Sequence, residues 1–284
     1  MESAVVLLGS FDADFEFCFY FGYKAFVPID SGGNFTAGVY DDEGRDVFEV
    51  VAASQVADGA GAVAGVAGGG FIHTGSGIEF TGITACVLAG VALKPDLIAC
   101  DAGSTDPGPY YLGSGKSFTD RGAVKRDLEL ALPKALAQKA PFIIGTAGGA
   151  GSAAHVRWLK EILLEIAAEK KLQFKLGVVF SDVSKEYVLE KLDSGKITNM
   201  SDEMPLSQKD IEESTTIVSQ IGIAPIVELL KQKADVILCG RACDTAIYAA
   251  PCIYNGYNPG LAFHMAKIME CGAMCSEPVA AADV

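Results

Sequence analysis

From residue 71 onward, short apolar runs alternate with longer segments of helical period. Leu97, Ile98, Ala99 and Cys100 form a continuous apolar run, the pattern of a strand buried on both faces. The pattern returns at 141–145, at 174–180 and at 235–239. Between the first two runs, Val124, Leu128, Leu132 and Leu136 recur at four-residue spacing. This predicts a helix from about residue 120 through 138 with Thr119 as its cap, and Pro133 inside it predicts a kink or an early stop. Further helices are predicted over about 82–93, 153–170, 185–192, from 207, over 223–231 with Pro225 near the first turn, and over 260–271. A polar connection containing Pro205 separates two of them. Strands alternating with helices at this spacing predict an α/β fold, a mostly parallel sheet with helices on both faces.

Residues 1–70 follow another pattern. The stretch 15–21 is aromatic and β-prone, and Ser31-Gly-Gly-Asn34 is a turn signal. The runs 35–40 and 46–52 flank Asp41-Asp-Glu-Gly44, which predicts a hairpin within a small N-terminal β element. The tract 58–70 is low in complexity and rich in Gly and Ala, and reads as a flexible linker; the alternative is a phosphate-cradling loop. The division expected is a small β-rich segment over 1–70 and an α/β domain over 71–284.

Composition narrows the partners. Half of the 284 residues are hydrophobic, enough for a sizeable core, and the formal charge of -14 argues against nucleic acid and anionic membrane. The first residues lack the basic start of a signal peptide, and no stretch is apolar enough for a confident membrane span. The eight cysteines do not follow the spacing of a disulfide framework and predict reduced thiols in a cytoplasmic protein. Cys239 with Cys243, and Cys271 with Cys275, are spaced too widely for common zinc pairs.

Ligands of such sheets bind beyond the carboxyl ends of the strands. The exit after Cys100 is a loop dense in Gly and Pro that carries Asp101, Ser104, Thr105, Asp106, Tyr110, Tyr111 and Lys116. Asp101, at a strand end, has the chemistry of a general base or a metal ligand; the alternative is an Asp that caps its own loop. Lys116 suits charge neutralisation, or is simply exposed. After Ile144 comes Gly145-Thr-Ala-Gly-Gly-Ala-Gly-Ser152, in which Gly148, Gly149 and Ser152 would let a carboxylate, a phosphate or CoA meet the start of a helix. The alternative is a tight strand-to-helix turn without a ligand. Ser181 and Asp182 follow the third strand. After Cys239 come Arg241, Asp244 and Thr245. Arg241 suits a bidentate carboxylate clamp, or an ion pair with Asp244 or Asp101. His155 lies just inside the helix after the Gly-rich turn, within reach of a pocket there. His264 reads as a packed or capping histidine, and His73 has no interpretable context. No Gly-x-Ser-x-Gly elbow is present, which disfavours serine hydrolase chemistry.

At Asp101-Ala-Gly-Ser-Thr-Asp-Pro-Gly-Pro-Tyr-Tyr-Leu-Gly-Ser-Gly-Lys116 the sequence resembles the acyclic terpene utilisation (AtuA-like) family. The likeness continues through Ala123-Val-Lys-Arg-Asp-Leu-Glu129, Ile144-Gly-Thr-Ala-Gly-Gly-Ala-Gly151, Lys185-Glu-Tyr-Val188, Ala234-Asp-Val-Ile-Leu-Cys-Gly-Arg-Ala-Cys-Asp-Thr-Ala-Ile247 and Gly260-Leu-Ala-Phe-His-Met-Ala-Lys-Ile-Met-Glu-Cys-Gly272. It covers roughly residues 71–278. The resemblance implies catabolism of branched and terpenoid acids, often alongside CoA-dependent steps. Family members are often longer at the carboxyl end, and many have a small ferredoxin-like domain, fused or separate.

Together these readings predict an enzyme acting on a small carboxylic acid or its acyl-CoA thioester by proton transfer next to a carbonyl: a hydratase or dehydratase (a lyase), or an isomerase. In it Arg241 holds the carboxylate, with Ser104, Thr105, Asp106 and Thr245 lining the substrate. Gly148, Gly149 and Ser152 hold a second anionic group, Asp101 or Asp244 takes the proton, and Tyr110 and Lys116 stabilise developing charge. A homo-oligomer is expected. One alternative is a non-catalytic or incomplete subunit that forms its site only with a small ferredoxin-like partner. Another is a Mg²⁺ enzyme with Asp101, Asp106 and Asp244 as ligands.

Overall fold

The computed structural model describes residues 95–103, 108–197 and 206–270 in full, and the backbone of five strands before them. The early strands are β1 (Ser3–Leu7), β2 (Asn34–Tyr40), β3 (Asp46–Val56), β4 (Ala62–Gly65) and β5 (Ile72–His73). β2 and β3 pair antiparallel, with Phe35 opposite Ala52, so the hairpin expected around residues 41–44 is present. β4 pairs with both β3 and β5. Part of the tract expected to be a linker is therefore strand: its alternating Ala and Val residues suit a pleated ladder. The β-prone stretch 15–21, the helix expected over 82–93 and the connection through Pro205 lie outside the described residues.

The main sheet is made of β6 (Ile98–Gly103), β7 (Phe142–Gly149), β8 (Leu176–Val179) and β10 (Val236–Cys239). Their order is β6-β7-β10-β8, and all pairs are parallel. The helices are α1 (Tyr110–Ser114), α2 (Arg121–Gln138), α3 (Ala153–Lys170), α4 (Lys185–Asp193), α5 (Gln208–Glu213), α6 (Ile223–Lys231), α7 (Ala246–Tyr254) and α8 (Pro259–Glu270).

Successive strand residues point to opposite faces, and here both faces are covered. Ile98, Cys100, Ala102, Phe142, Ile144, Val236 and Leu238 pack with Val124, Leu128 and Leu132 of α2 and Val156, Leu159, Ile162 and Ile166 of α3. Leu97, Ala99, Ile143, Ile237 and Cys239 pack on the other face with Ile226 and Leu230 of α6, Ile247 of α7, and Met265 and Met269 of α8. The chain passes from β7 to the edge strand β8 and then back to β10 between them. The connections leaving β7 and β10 therefore run over opposite faces, the arrangement that opens a crevice at neighbouring carboxyl ends.

Some local expectations shift. The cap of α2 is Asp120, whose side chain accepts from the Ala123 N–H at 3.0 Å. Thr119 instead meets Ser117, hydroxyl to hydroxyl at 3.0 Å. Pro133 does not end α2, which continues to Gln138 because Leu132 and Ala135 on either side of it are fully buried. Residues 110–114 form a short helix rather than continuous loop. β9 (Ser214–Ser219) was not predicted, although Thr215, Thr216, Ile217 and Val218 are all β-branched. It pairs in parallel with β1, apart from the main sheet. Among the described residues, no helix is long and apolar enough to cross a membrane.

Ile143 is fully buried in β7, between two parallel neighbours. Ile143→Ala is expected to cost about 2–5 kcal/mol through lost burial and the cavity left behind. Urea unfolding monitored by circular dichroism checks this through a lower midpoint at unchanged slope.

Candidate functional site

The face rule decides where Asp101 points. Leu97 and Ala99 both belong to the core cluster on that side, so the Asp101 carboxylate is delivered under α7 and α8 at the carboxyl end of β6. Only 4 % of Asp101 is exposed. Its Oδ1 accepts from the Gly103 N–H at 3.1 Å. Burial, and then the nearby charge of Asp244, push its pKa up to about 7, against the pull of the Gly103 N–H and of Arg241.

Arg241 and Asp244 come from the exit of β10. The Arg241 N–H meets the Gly151 carbonyl at 3.1 Å and the Ser181 hydroxyl at 2.7 Å, which fixes the backbone. The residue is buried, and its Nε has no hydrogen-bond partner among the described residues. Asp244 is half-buried; desolvation raises its pKa, while Arg241 and Lys267 oppose the rise. Two further groups belong here that the sequence did not single out. Glu270, buried at the end of α8 and ion-paired with Lys267, adds negative charge felt by both aspartates. Tyr248 of α7 is buried beside the Asp101 backbone, and desolvation lifts its pKa well above the ordinary value. Only their positions on apolar helices hinted at them: a carboxylate and a hydroxyl within buried helix faces need a polar neighbourhood.

The Gly-rich turn is occupied by the protein itself. β7 runs through Gly149, so the strand is longer than expected and Gly148 and Gly149 lie within it. A Cβ at Gly148 would come within 2.7 Å of the His155 ring, and one at Gly149 within 2.8 Å of Phe118. At Gly151 it would meet the Arg241 N at 2.2 Å. Ser152 caps α3 and bonds His155 Nδ1 through its hydroxyl at 2.7 Å and its N–H at 3.2 Å. His155 Nε2 then meets the Lys116 carbonyl at 2.8 Å. Accepting at Nδ1 and donating at Nε2 describes a neutral ring, in keeping with the lowered pKa that burial imposes. His155 is thus a strut between the helix start and the 116 segment rather than a pocket residue. Thr146 sits in the left-handed region at φ 49, uncommon for a β-branched residue. Its hydroxyl donates to the Ala242 carbonyl at 3.3 Å and accepts from the Ala242 N–H at 3.1 Å, which holds the ends of β7 and β10 together.

The remaining candidates divide by position. Tyr110 is 54 % exposed and packs edge-to-face on Tyr111, and Lys116 is also exposed. Thr245 starts α7, with its hydroxyl 3.3 Å from the Cys243 sulfur. His264 is exposed rather than packed, because the apolar face of α8 is formed by Ala262, Met265, Ala266 and Met269. Asp182 is exposed, while Ser181 is buried and donates to the Gly151 carbonyl at 2.9 Å. Cys100, Cys239, Cys243 and Cys252 are free thiols. Ser104, Thr105, Asp106, Cys271 and Cys275 lie outside the described residues. Among the described residues, no group of three or more His, Cys, Asp or Glu is arranged to hold a metal ion.

Residues 120–282 match the family model described as acyclic terpene utilisation family protein AtuA. The chain belongs to the AtuA family. The match takes in the α2 start, the Gly-rich turn, the β10 exit with Arg241 and Asp244, and α8; the motif at 101–116 precedes it. No curated protein and no solved structure matches the chain. The family relates this chain to acyclic terpene utilisation, a broadly catabolic setting.

Two predictions follow from the geometry. Asp101 keeps its proton in the folded chain to about pH 7, against about 3.9 for an ordinary aspartate. Between those values the unfolded state binds fewer protons, so stability falls as pH rises, by up to about 4 kcal/mol once pH exceeds 7. Asp101→Asn keeps the acceptor for Gly103 but carries no charge. It is expected to unfold at higher temperature than the native chain at pH 8, with the difference vanishing near pH 4, as calorimetry at the two pH values would show. Gly151→Ala brings its Cβ against the Arg241 backbone at a φ of +76. It is expected to destabilise the chain by about 3 kcal/mol or more, read from its unfolding midpoint.

Proposed function

We propose that the chain is an enzyme of small carboxylic acid catabolism that moves a proton next to a carbonyl group, acting on a free acid or its CoA thioester. The observation that carries this reading is the paired Asp101 and Asp244 beside Arg241, with Asp101 buried and its pKa pushed up to about 7. A carboxyl group poised near neutral pH exchanges protons with a carbon acid more effectively than one at the ordinary value. Arg241 holds the substrate carboxylate and neutralises charge that builds on it when the adjacent carbon loses its proton.

In a dehydration, Asp101 or Asp244 removes the proton on the carbon beside the carbonyl. The electron pair of that C–H bond becomes the new double bond, and the β-hydroxyl leaves with a proton from the second carboxyl group, as water. Hydration is the reverse. In an isomerisation the proton returns to a different carbon. Oxidation states balance in each case, so the step needs no electron acceptor. Tyr248, buried beside Asp101, is the hydroxyl of this reading, in place of the exposed Tyr110. Membership of a family tied to terpene utilisation supports a catabolic acid as the substrate.

The test is turnover across a panel of hydroxy and unsaturated acids and their CoA thioesters. With Asp101 as base, kcat/KM rises with pH and levels off above about 7, the value for the free enzyme. Asp101→Asn is expected to lower kcat by about 10²–10⁴-fold. Full activity in that variant removes Asp101 from the proton-transfer role.

A further inference from the structure

The proposed function leaves open whether the substrate arrives as a free acid or as a thioester, and two separate features bear on this. The first is Arg241. The residue is 7 % exposed, and Nε lacks a partner among the described residues although the backbone N–H is doubly engaged. A buried guanidinium N–H without an acceptor is costly, and its natural complement is a planar group with two acceptor oxygens. The charges around it restrict the choice. Asp101, Asp244 and Glu270 lie near Arg241, and Lys267 is ion-paired with Glu270. A single carboxylate adds one negative charge to this set. Phosphate adds about 1.5 to 2 and presents a tetrahedron instead of a plane.

The second feature is the Gly-rich turn, the place in this chain best suited by sequence to a phosphate group of CoA. His155 covers Gly148, Phe118 covers Gly149, and the Arg241 backbone lies against Gly151. The Ser152 N–H at the start of α3 is already bonded to His155. The space that glycines leave for a ligand is filled by the chain's own atoms.

We infer that Arg241 seats a single planar carboxylate and that the substrate enters as a free monoacid, not as a phosphate-bearing thioester. This rests on the proton-transfer reading and narrows its substrate class.

The test is calorimetric titration of the full chain with crotonate, crotonyl-CoA and inorganic phosphate in separate arms. The native chain and Arg241→Lys are compared, and the ¹⁵N resonance of the Arg241 Nε–H is followed in the native protein. Crotonate is expected to bind about tenfold or more tightly than phosphate or crotonyl-CoA, to weaken about tenfold or more in Arg241→Lys, and to move the Nε–H resonance. If Arg241→Lys does not fold, the resonance in the native protein decides. The inference is overturned if crotonate does not bind, if it binds without moving that resonance, or if phosphate or crotonyl-CoA binds as well. Thioester turnover that disappears in Asp101→Asn would overturn it while leaving the proton-transfer reading intact. Crotonate seated on Arg241, with no Asp101-dependent turnover of any acid, would do the reverse.

Discussion

Burying like charges together is the constraint on which the carboxyl end of this sheet depends. Asp101, Glu270 and Arg241 are buried together there, with Asp244 half-buried beside them and Lys267 at the exposed edge, ion-paired with Glu270. Burial first, and then the charge of Asp244, lets Asp101 hold a proton to near neutrality. That raised pKa follows from the fold: the pleat turns Asp101 away from α2 and α3 and beneath α7 and α8. It also weakens the native state as pH rises towards 7 and beyond.

A rigid frame holds those charges in place. The ends of β7, β8 and β10 are tied through Thr146, Gly151, Ser181 and Arg241, each bond engaging a buried group. His155, neutral and bonded on both ring nitrogens, fixes the start of α3 to the 116 segment. The glycines of the turn serve close packing of protein on protein. The same residues that suggested an anion cradle therefore pack against His155, Phe118 and the Arg241 backbone.

Much of the frame was legible beforehand. The runs at 97–100, 141–145 and 235–239 have no polar alternation, which marked them as strands covered on both sides, and β6, β7 and β10 are such strands. The four-residue spacing of Val124, Leu128 and Leu132 marked the face of α2 that meets the sheet. β9 was missed because its Thr-rich run follows α5 directly, with no turn residue to separate them. The cap of α2 was misplaced by one residue because Thr119 and Asp120 are both good caps, and only the backbone path chooses between them.

The candidate site was legible as a set of strand exits, and Asp101, Arg241 and Asp244 were named from it. By itself the sequence determined the α/β alternation, the family and the residue types gathered at the exits, because periodicity and local motifs are properties of neighbouring residues. Tertiary structure decided which of those groups meet. Strand order brings the end of β10 beside β7 and near Asp101, and helix packing adds Glu270 and Tyr248 from far along the chain. It also closed the Gly-rich turn and left Tyr110 and Lys116 exposed. Charge and burial act through space, so no reading of one segment at a time assigns the proton on Asp101.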